Sequence, residues 1–202
     1  MRRGGCVEEL KILLVSRNEG KIREFRELGV RECVDVIPVS IDKVEIQSDD
    51  LTQIALYSAA QASLHLRNEL FFVEDAGLYI KPLNGFPGPF SSYVYRTIGV
   101  GGVLKLLLGF SERSAYFESV IVLHQPNQGF RVFRGLVSGT ISLEARGSGG
   151  FGFDPIFIPE GHEKTFAEMD IETKNSLSHR GKAFRAMVDW LRTAYKSRAR
   201  EI

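Results

Sequence analysis

Two adjacent carboxylates, Glu74 and Asp75, interrupt the otherwise apolar stretch LFFVEDAGLYI, residues 70–80. Residues 70–73 and 78–80 read as strand, and burying a carboxylate without a partner there is costly. The ends of strands line the ligand crevice of open α/β sheets, so the pair has a chemical reading. An acid in that place can hold Mg²⁺, which takes carboxylates, water and substrate phosphates. It can also orient or deprotonate a water. The plain alternative is a turn cap ahead of Gly77. Glu45, in KVEIQS, can join the pair from the loop before a long helix, although simple solvent exposure also accounts for it.

Three further groups suit a nucleotide. SRNEGK, residues 16–21, lies where a strand gives way to a helix. A helix start offers free N–H donors and partial positive charge, which favours phosphate. Ser16 and Asn18 add hydrogen bonds and Lys21 a full charge; the GxxxxGK[ST] pattern of a P-loop is absent. GSGGFGFDPIF, residues 147–157, has glycines that admit close backbone approach. Phe151 and Phe153 can stack on a flat base, and Asp154 can accept a hydrogen bond from its edge; otherwise the rings are core plugs. In KNSLSHRGKA, residues 174–183, Lys174, His179, Arg180 and Lys182 gather where the last helix begins, with Ser178 as its cap. Cations there oppose the helix dipole unless an anion is near. Two anion sites, an acid site and a stacking loop together describe a nucleoside triphosphate and a reaction at its phosphates.

The elements that must position these groups follow from periodicity. Strands are expected over 11–16, 33–41 and from 70, with helices over 19–28 and 49–67 between them. Gly29 is the expected stop of the first helix and Asp49 or Asp50 the cap of the second. This alternation predicts parallel pairing in an α/β fold. Residues 83–90, LNGFPGPF, read as loop, 99–109 as a short helix, and 114–124 with 129–142 as an antiparallel hairpin about QPNQ. A loop over 145–161 precedes an amphipathic helix from Ser178, on which Ala183, Met187 and Leu191 share a face. The layout predicts one domain, residues 1–202, in which a parallel-sheet lobe and a hairpin-rich lobe meet at a cleft.

Composition narrows the function class. The formal charge of +1 argues against a sequence-independent grip on nucleic acid. No apolar run approaches the roughly 20 residues of a membrane span. MRRGGCVEELK lacks the apolar core of a signal peptide, so a cytoplasmic location is expected. Cys6 and Cys33, in no CxxC arrangement, speak against a zinc site and a disulfide framework.

The blocks also carry a resemblance. SRNEGKIREF resembles the [ST]xNxxKxxE/F start of the inosine/xanthosine triphosphate pyrophosphatase family. VEDAGLYIKPLNGFPGPFSS, GFGFDPIFIPEG, TFAEM and KNSLSHRGKAF resemble its later blocks in order, over residues 11–191. NGFPGPFSSYVYRTIG is most similar to the archaeal branch. The resemblance implies a two-lobed α/β fold with an elongated mixed central sheet, flanking helices and a homodimer. It implies Mg²⁺-dependent hydrolysis of ITP, dITP and XTP to the monophosphate and pyrophosphate, which clears deaminated purines from the nucleotide pool. It assigns phosphate contacts to Ser16, Asn18 and Lys21 and metal to Glu45 and Asp75; of the acids, Asp75 is our choice for the catalytic carboxylate. Phe151, Phe153 and Asp154 fall where the family holds the base; Lys174, Ser178, His179 and Arg180 fall where it holds base and phosphate. Two positions depart: Ala76 follows the acids where many members have Ser or Thr, and Ser58 stands where many have a long-helix lysine. Arg17 or Arg96 is the expected substitute cation. The rival readings are a Maf-like pyrophosphatase for modified nucleotides, whose ASxSPRR start is absent, and a non-catalytic nucleotide-binding module, against which Glu45 and Asp75 argue.

Overall fold

The computed structural model describes residues 10–198. The N-terminal stretch read above as lacking a leader lies outside the described residues, as does Cys6. The chain begins β1 (Leu10–Val15), α1 (Glu19–Arg31), β2 (Val34–Val39), α2 (Leu51–Ser63), β3 (Phe71–Ile80). β1 pairs in parallel with both β2 and β3, as the alternation of strands and helices predicts. The Asn18 side chain caps α1 by accepting the Lys21 N–H at 3.1 Å, and Asp50 caps α2 by accepting that of Thr52 at 2.7 Å. Gly29 does not end α1, which runs on to Arg31. It is a packing glycine: a Cβ there would lie 2.5 Å from the Val34 carbonyl oxygen. Cys33, just past α1, takes part in a disulfide that the sequence reading did not expect.

The second half continues with β4 (Pro87–Gly88), α3 (Ser91–Thr97), α4 (Gly99–Leu106), β5 (Ser114–Gln125), β6 (Gly129–Ile141), β7 (Phe157–Pro159), α5 (Ile171–Leu177) and α6 (His179–Arg198). The sheet order is β2-β1-β3-β5-β6-β7, with β4 paired to β3. The hairpin falls where the sequence places it. β7, α3 and α5 do not show in the pattern, being too short to display a period. Because β3 pairs antiparallel with β5, the sheet is parallel at one end and antiparallel at the other. The fold is therefore mixed α/β, as expected.

β3 belongs to both ends, and its register opens the crevice. It pairs with β5 along its whole length but with β1 only at Phe71 and Phe72. Glu74 and Asp75 thus sit in mid-strand, not at its end, yet just past the last rung shared with β1. Successive strand residues face opposite sides of a sheet. Phe72 packs with Phe25, Phe184 and Met187 on the side of α1 and α6. Phe71 and Val73 pack with Ala55, Ala59 and Ala62 of α2 on the other side. The same alternation sends Glu74 toward α1 and α6 and Asp75 toward the α2 side. Gly135 of β6 lets the start of α6 settle on the sheet, since a Cβ there would lie 2.0 Å from the His179 carbonyl oxygen. No described helix is long and apolar enough to cross a membrane.

Candidate active site

A cleft of about 960 Å³ runs past β3 between the start of α1, the β2–α2 loop, α3, the 151–154 turn and the start of α6. The two acids meet it in different states. Glu74 is buried, and its Oε1 accepts from Ser119 Oγ at 2.7 Å and from Arg180 Nε at 3.2 Å. Lys21 Nζ lies 2.8 Å from its Oε2 and donates to its main-chain carbonyl, also at 2.8 Å. Burial works against the charge, but Arg180 and Lys21 outweigh it and hold the carboxyl at about 2. Asp75 is only partly covered, its Oδ1 lies 3.9 Å from Lys21 Nζ, and its Oδ2 has no hydrogen-bond partner. Burial pushes this carboxyl above its ordinary range; Lys21 and Lys43 pull against the rise, while Glu74 and Glu45 add to it.

Glu45 and Lys43 reach the same cleft from the β2–α2 loop. Among the described residues no group of three or more His, Cys, Asp or Glu side chains could by itself enclose a metal ion. Two carboxylates, one with an unpartnered oxygen, are nonetheless the donor set Mg²⁺ takes when water and substrate phosphates complete its shell. Lys43 is half-buried, and burial lowers its ammonium below the ordinary range although Asp75 pulls it back.

The other end of the cleft is built from charges that satisfy one another. Glu24 of α1 is buried, receiving Lys174 Nζ at 2.5 Å on Oε1 and Arg180 Nη1 at 2.6 Å on Oε2. Lys174 also pairs with Asp154, whose Oδ2 accepts the Phe151 N–H at 2.7 Å. Burial alone would raise the Glu24 carboxyl, but Arg180 and Lys174 bring it below its ordinary range; Asp154 is pushed up by burial. His179 is buried with its ring stacked on Phe117 at 4.6 Å, and its Nδ1 is unpartnered. Burial and the nearby Arg180 hold its imidazole well below 6.5, hence neutral. The two phenylalanines differ. Phe153 is 3% exposed, meets Tyr95 edge-on at 5.6 Å and joins the core around Leu78 and Val94. Phe151 is half-buried, with Lys174 Nζ and Arg180 Cζ at 5.2 and 5.3 Å from its ring centre. It rests on the start of α1 because residue 20 is glycine; a Cβ there would come within 2.6 Å of the ring.

A family model described as the Ham1 family matches residues 12–190. The chain belongs to the Ham1 family. A dITP/XTP pyrophosphatase of Hyperthermus butylicus is 49% identical over 187 residues, which cover 92% of this chain and 97% of that protein. One from Pyrococcus horikoshii is 46% identical over 187 residues, 93% of this chain and 100% of that one. Among solved structures, the Staphylococcus aureus Ham1 protein matches with a TM-score of 0.78 at 30% identity, over 91% of this chain and 99% of that one. A HAM1 protein from Coxiella burnetii matches with 0.77 at 33% identity, again over 91% and 99%.

Of the positions carried over from the sequence blocks, Ser16, Asn18, Lys21, Glu45, Asp75, Phe151, Phe153, Asp154, His179 and Arg180 line the cleft of this Ham1 protein. Lys174 and Ser178 do not; both are buried behind it, and Ser178 Oγ caps α6 by accepting the Gly181 N–H at 3.0 Å. Ser58 is buried in α2 and is not among the residues that line the cleft. Arg17 and Arg96 both line the cleft. Arg17 is tied to Ser40 Oγ at 2.6 Å and to Asp42, while Arg96 donates its Nε to the Ser92 carbonyl at 3.4 Å. Sequence reasoning missed Glu24, Lys43 and Ser119. Glu24 had a signal: it sits four residues before Leu28 on the stripe that also holds Phe25, a poor place for an unpaired carboxylate. Lys43 and Ser119 had none.

Proposed function

We propose that this Ham1-family chain is a dITP/XTP pyrophosphatase, an enzyme that hydrolyses ITP, dITP and XTP to the monophosphate and pyrophosphate. Its role is to remove deaminated purine nucleotides from the pool. Relatives of nearly the same length bear that name, and one observation ties it to geometry. Of two adjacent acids, Glu74 has both oxygens in ion pairs, with Lys21 and Arg180, while Asp75 Oδ2 has neither a hydrogen bond nor an ion pair in a cleft with Glu45, Lys21 and the start of α1. That arrangement suits a polyanion attacked by water.

In this reading Glu45 and Asp75 hold Mg²⁺, which neutralises phosphate charge when bound. Asp75 orients the attacking water and accepts its proton at a carboxylate oxygen. Lys21, fixed by Glu74, and the start of α1, with Ser16 and Asn18, bind the phosphates. The base lies at the other end, against Phe151, with Phe153 behind it and Asp154 toward its edge; Lys174 and Ser178 act from behind by holding Asp154 and the start of α6. His179 and the remaining N–H groups of Arg180 face the 6-oxo acceptor of hypoxanthine or xanthine. An amino group there leaves those donors unpaired, at roughly 1–3 kcal/mol. We also take the chain as one two-lobed unit that is cytoplasmic and dimeric. The continuous sheet and the exposed Tyr93, Ile98, Leu108 and Phe110 support the first and last of these.

The test is a panel of nucleoside triphosphates with Mg²⁺, with products resolved as mono- or diphosphate. ITP, dITP and XTP should yield monophosphate and pyrophosphate much faster than ATP or GTP. Binding without turnover would leave a nucleotide-binding module, and release of single phosphates would reassign the cleaved bond.

A further inference from the structure

We infer that Lys43 is a substrate-binding residue of this chain, gripping the pyrophosphate part of the triphosphate; this rests on the pyrophosphatase reading above. Five Lys and Arg side chains line the cleft: Arg17, Lys21, Lys43, Arg96 and Arg180. Three are paired with acids: Arg17 with Asp42, Lys21 with Glu74, and Arg180 with Glu24 and Glu74. Arg96 is exposed, so water serves its guanidinium, and its Nε donates to the Ser92 carbonyl at 3.4 Å. Among the described residues Lys43 makes no hydrogen bond and no ion pair, although it is half-buried. A cation partly withdrawn from water and left without a partner is costly unless a ligand supplies the counter-charge.

Its surroundings name the part of the ligand. Lys43 lies two residues before Glu45 on the β2–α2 loop and lines the cleft together with Glu74 and Asp75 of β3 and Lys21 of α1. None belongs to the Glu24, Asp154 and Lys174 cluster at the base end. Lys43 therefore stands on the phosphate side of Asp75, on the loop between β2 and α2. An ammonium on a flexible four-carbon stem binds phosphate as a movable point charge. Lys43 and Lys21 reach the cleft from different elements, the β2–α2 loop and α1, so the leaving pyrophosphate is held from two sides. The cation that the sequence sought at position 58 comes instead from this loop.

The test compares wild type, Lys43→Met and Lys43→Arg. Calorimetry measures binding of inorganic pyrophosphate and of IMP, and steady-state kinetics gives KM for ITP. A lost charge-assisted contact should weaken pyrophosphate binding and raise KM by roughly 10–100-fold in Lys43→Met. IMP binding and the melting temperature should hardly change, and Lys43→Arg should recover most of the pyrophosphate affinity. Unchanged pyrophosphate affinity in Lys43→Met, with wild-type turnover of ITP intact, would overturn the assignment and leave Lys43 as a local counter-ion of Asp75. Equal losses for pyrophosphate and IMP would also overturn it. If wild type binds pyrophosphate through Lys43 yet fails to cleave ITP, the anion site stands and the pyrophosphatase reading falls.

Discussion

The two ends of the cleft are equally rich in charge and differ in what that charge has left to give. At the Glu24 end, Glu24, Lys174, Asp154 and Arg180 are buried and bound to one another. At the Asp75 end, Asp75 keeps an unpartnered oxygen, Glu45 is exposed and Lys43 has no hydrogen bond or ion pair among the described residues. A closed network of charges costs much to disturb and contributes shape; open valences cost less to keep and contribute chemistry. The network makes a rigid wall against which a flat base can rest, and the open end receives the groups that react.

Variants at the two ends should therefore fail in different ways. The largest effect belongs to Asp75→Asn. Turnover of ITP should fall by about 10²–10⁴-fold, while the melting temperature stays near that of wild type. An active, folded Asp75→Asn protein would remove the open end's claim to chemistry.

Glu24→Gln should do the reverse. It strands Lys174 and Arg180 against a neutral partner, and breaking a buried pair costs about 3–5 kcal/mol of stability, measurable by denaturant unfolding. A variant as stable as wild type but with weakened ITP binding would show that the closed end, too, is a direct ligand site.

The phenylalanines sharpen the contrast within one turn. Phe153→Ala empties a core position and should cost about 3–5 kcal/mol of stability. Phe151→Ala should leave stability closer to wild type and weaken ITP and IMP alike by roughly 5–150-fold, the loss of one stacked base. Inorganic triphosphate should bind the Phe151 variant as it binds wild type. An exchange of these two phenotypes would place the base on Phe153.

The smallest effect is on pH. His179 is held neutral well below the ordinary 6.5. The unfolded chain takes up a proton near that value and the folded chain does not, so stability present above about 6.5 drains away as pH falls below it. His179→Gln should flatten this part of the curve of melting temperature against pH; an unaltered slope would mean the imidazole is protonated in place.

Much of this molecule was legible in the order of its residues. Period-2 and period-3.6 patterns placed β1, α1, β2, α2, the hairpin and the last helix, because those elements are long enough to show a period and are capped by Asn18, Asp50 and Ser178. The five ordered blocks led to the family, since each type of residue there is tied to a local geometry. Which charges are free is another matter. Lys174 and Glu24 stand 150 residues apart and become partners only when α5 is laid against α1. Adjacent in sequence, Glu74 and Asp75 part company because the pleat of β3 turns one toward Arg180 and the other toward the α2 side. Residue type and spacing determined that the chain carries acids, cations and rings suited to a nucleotide. Tertiary packing alone decided which of them neutralise one another and which remain open, because burial and pairing are properties of three-dimensional neighbours.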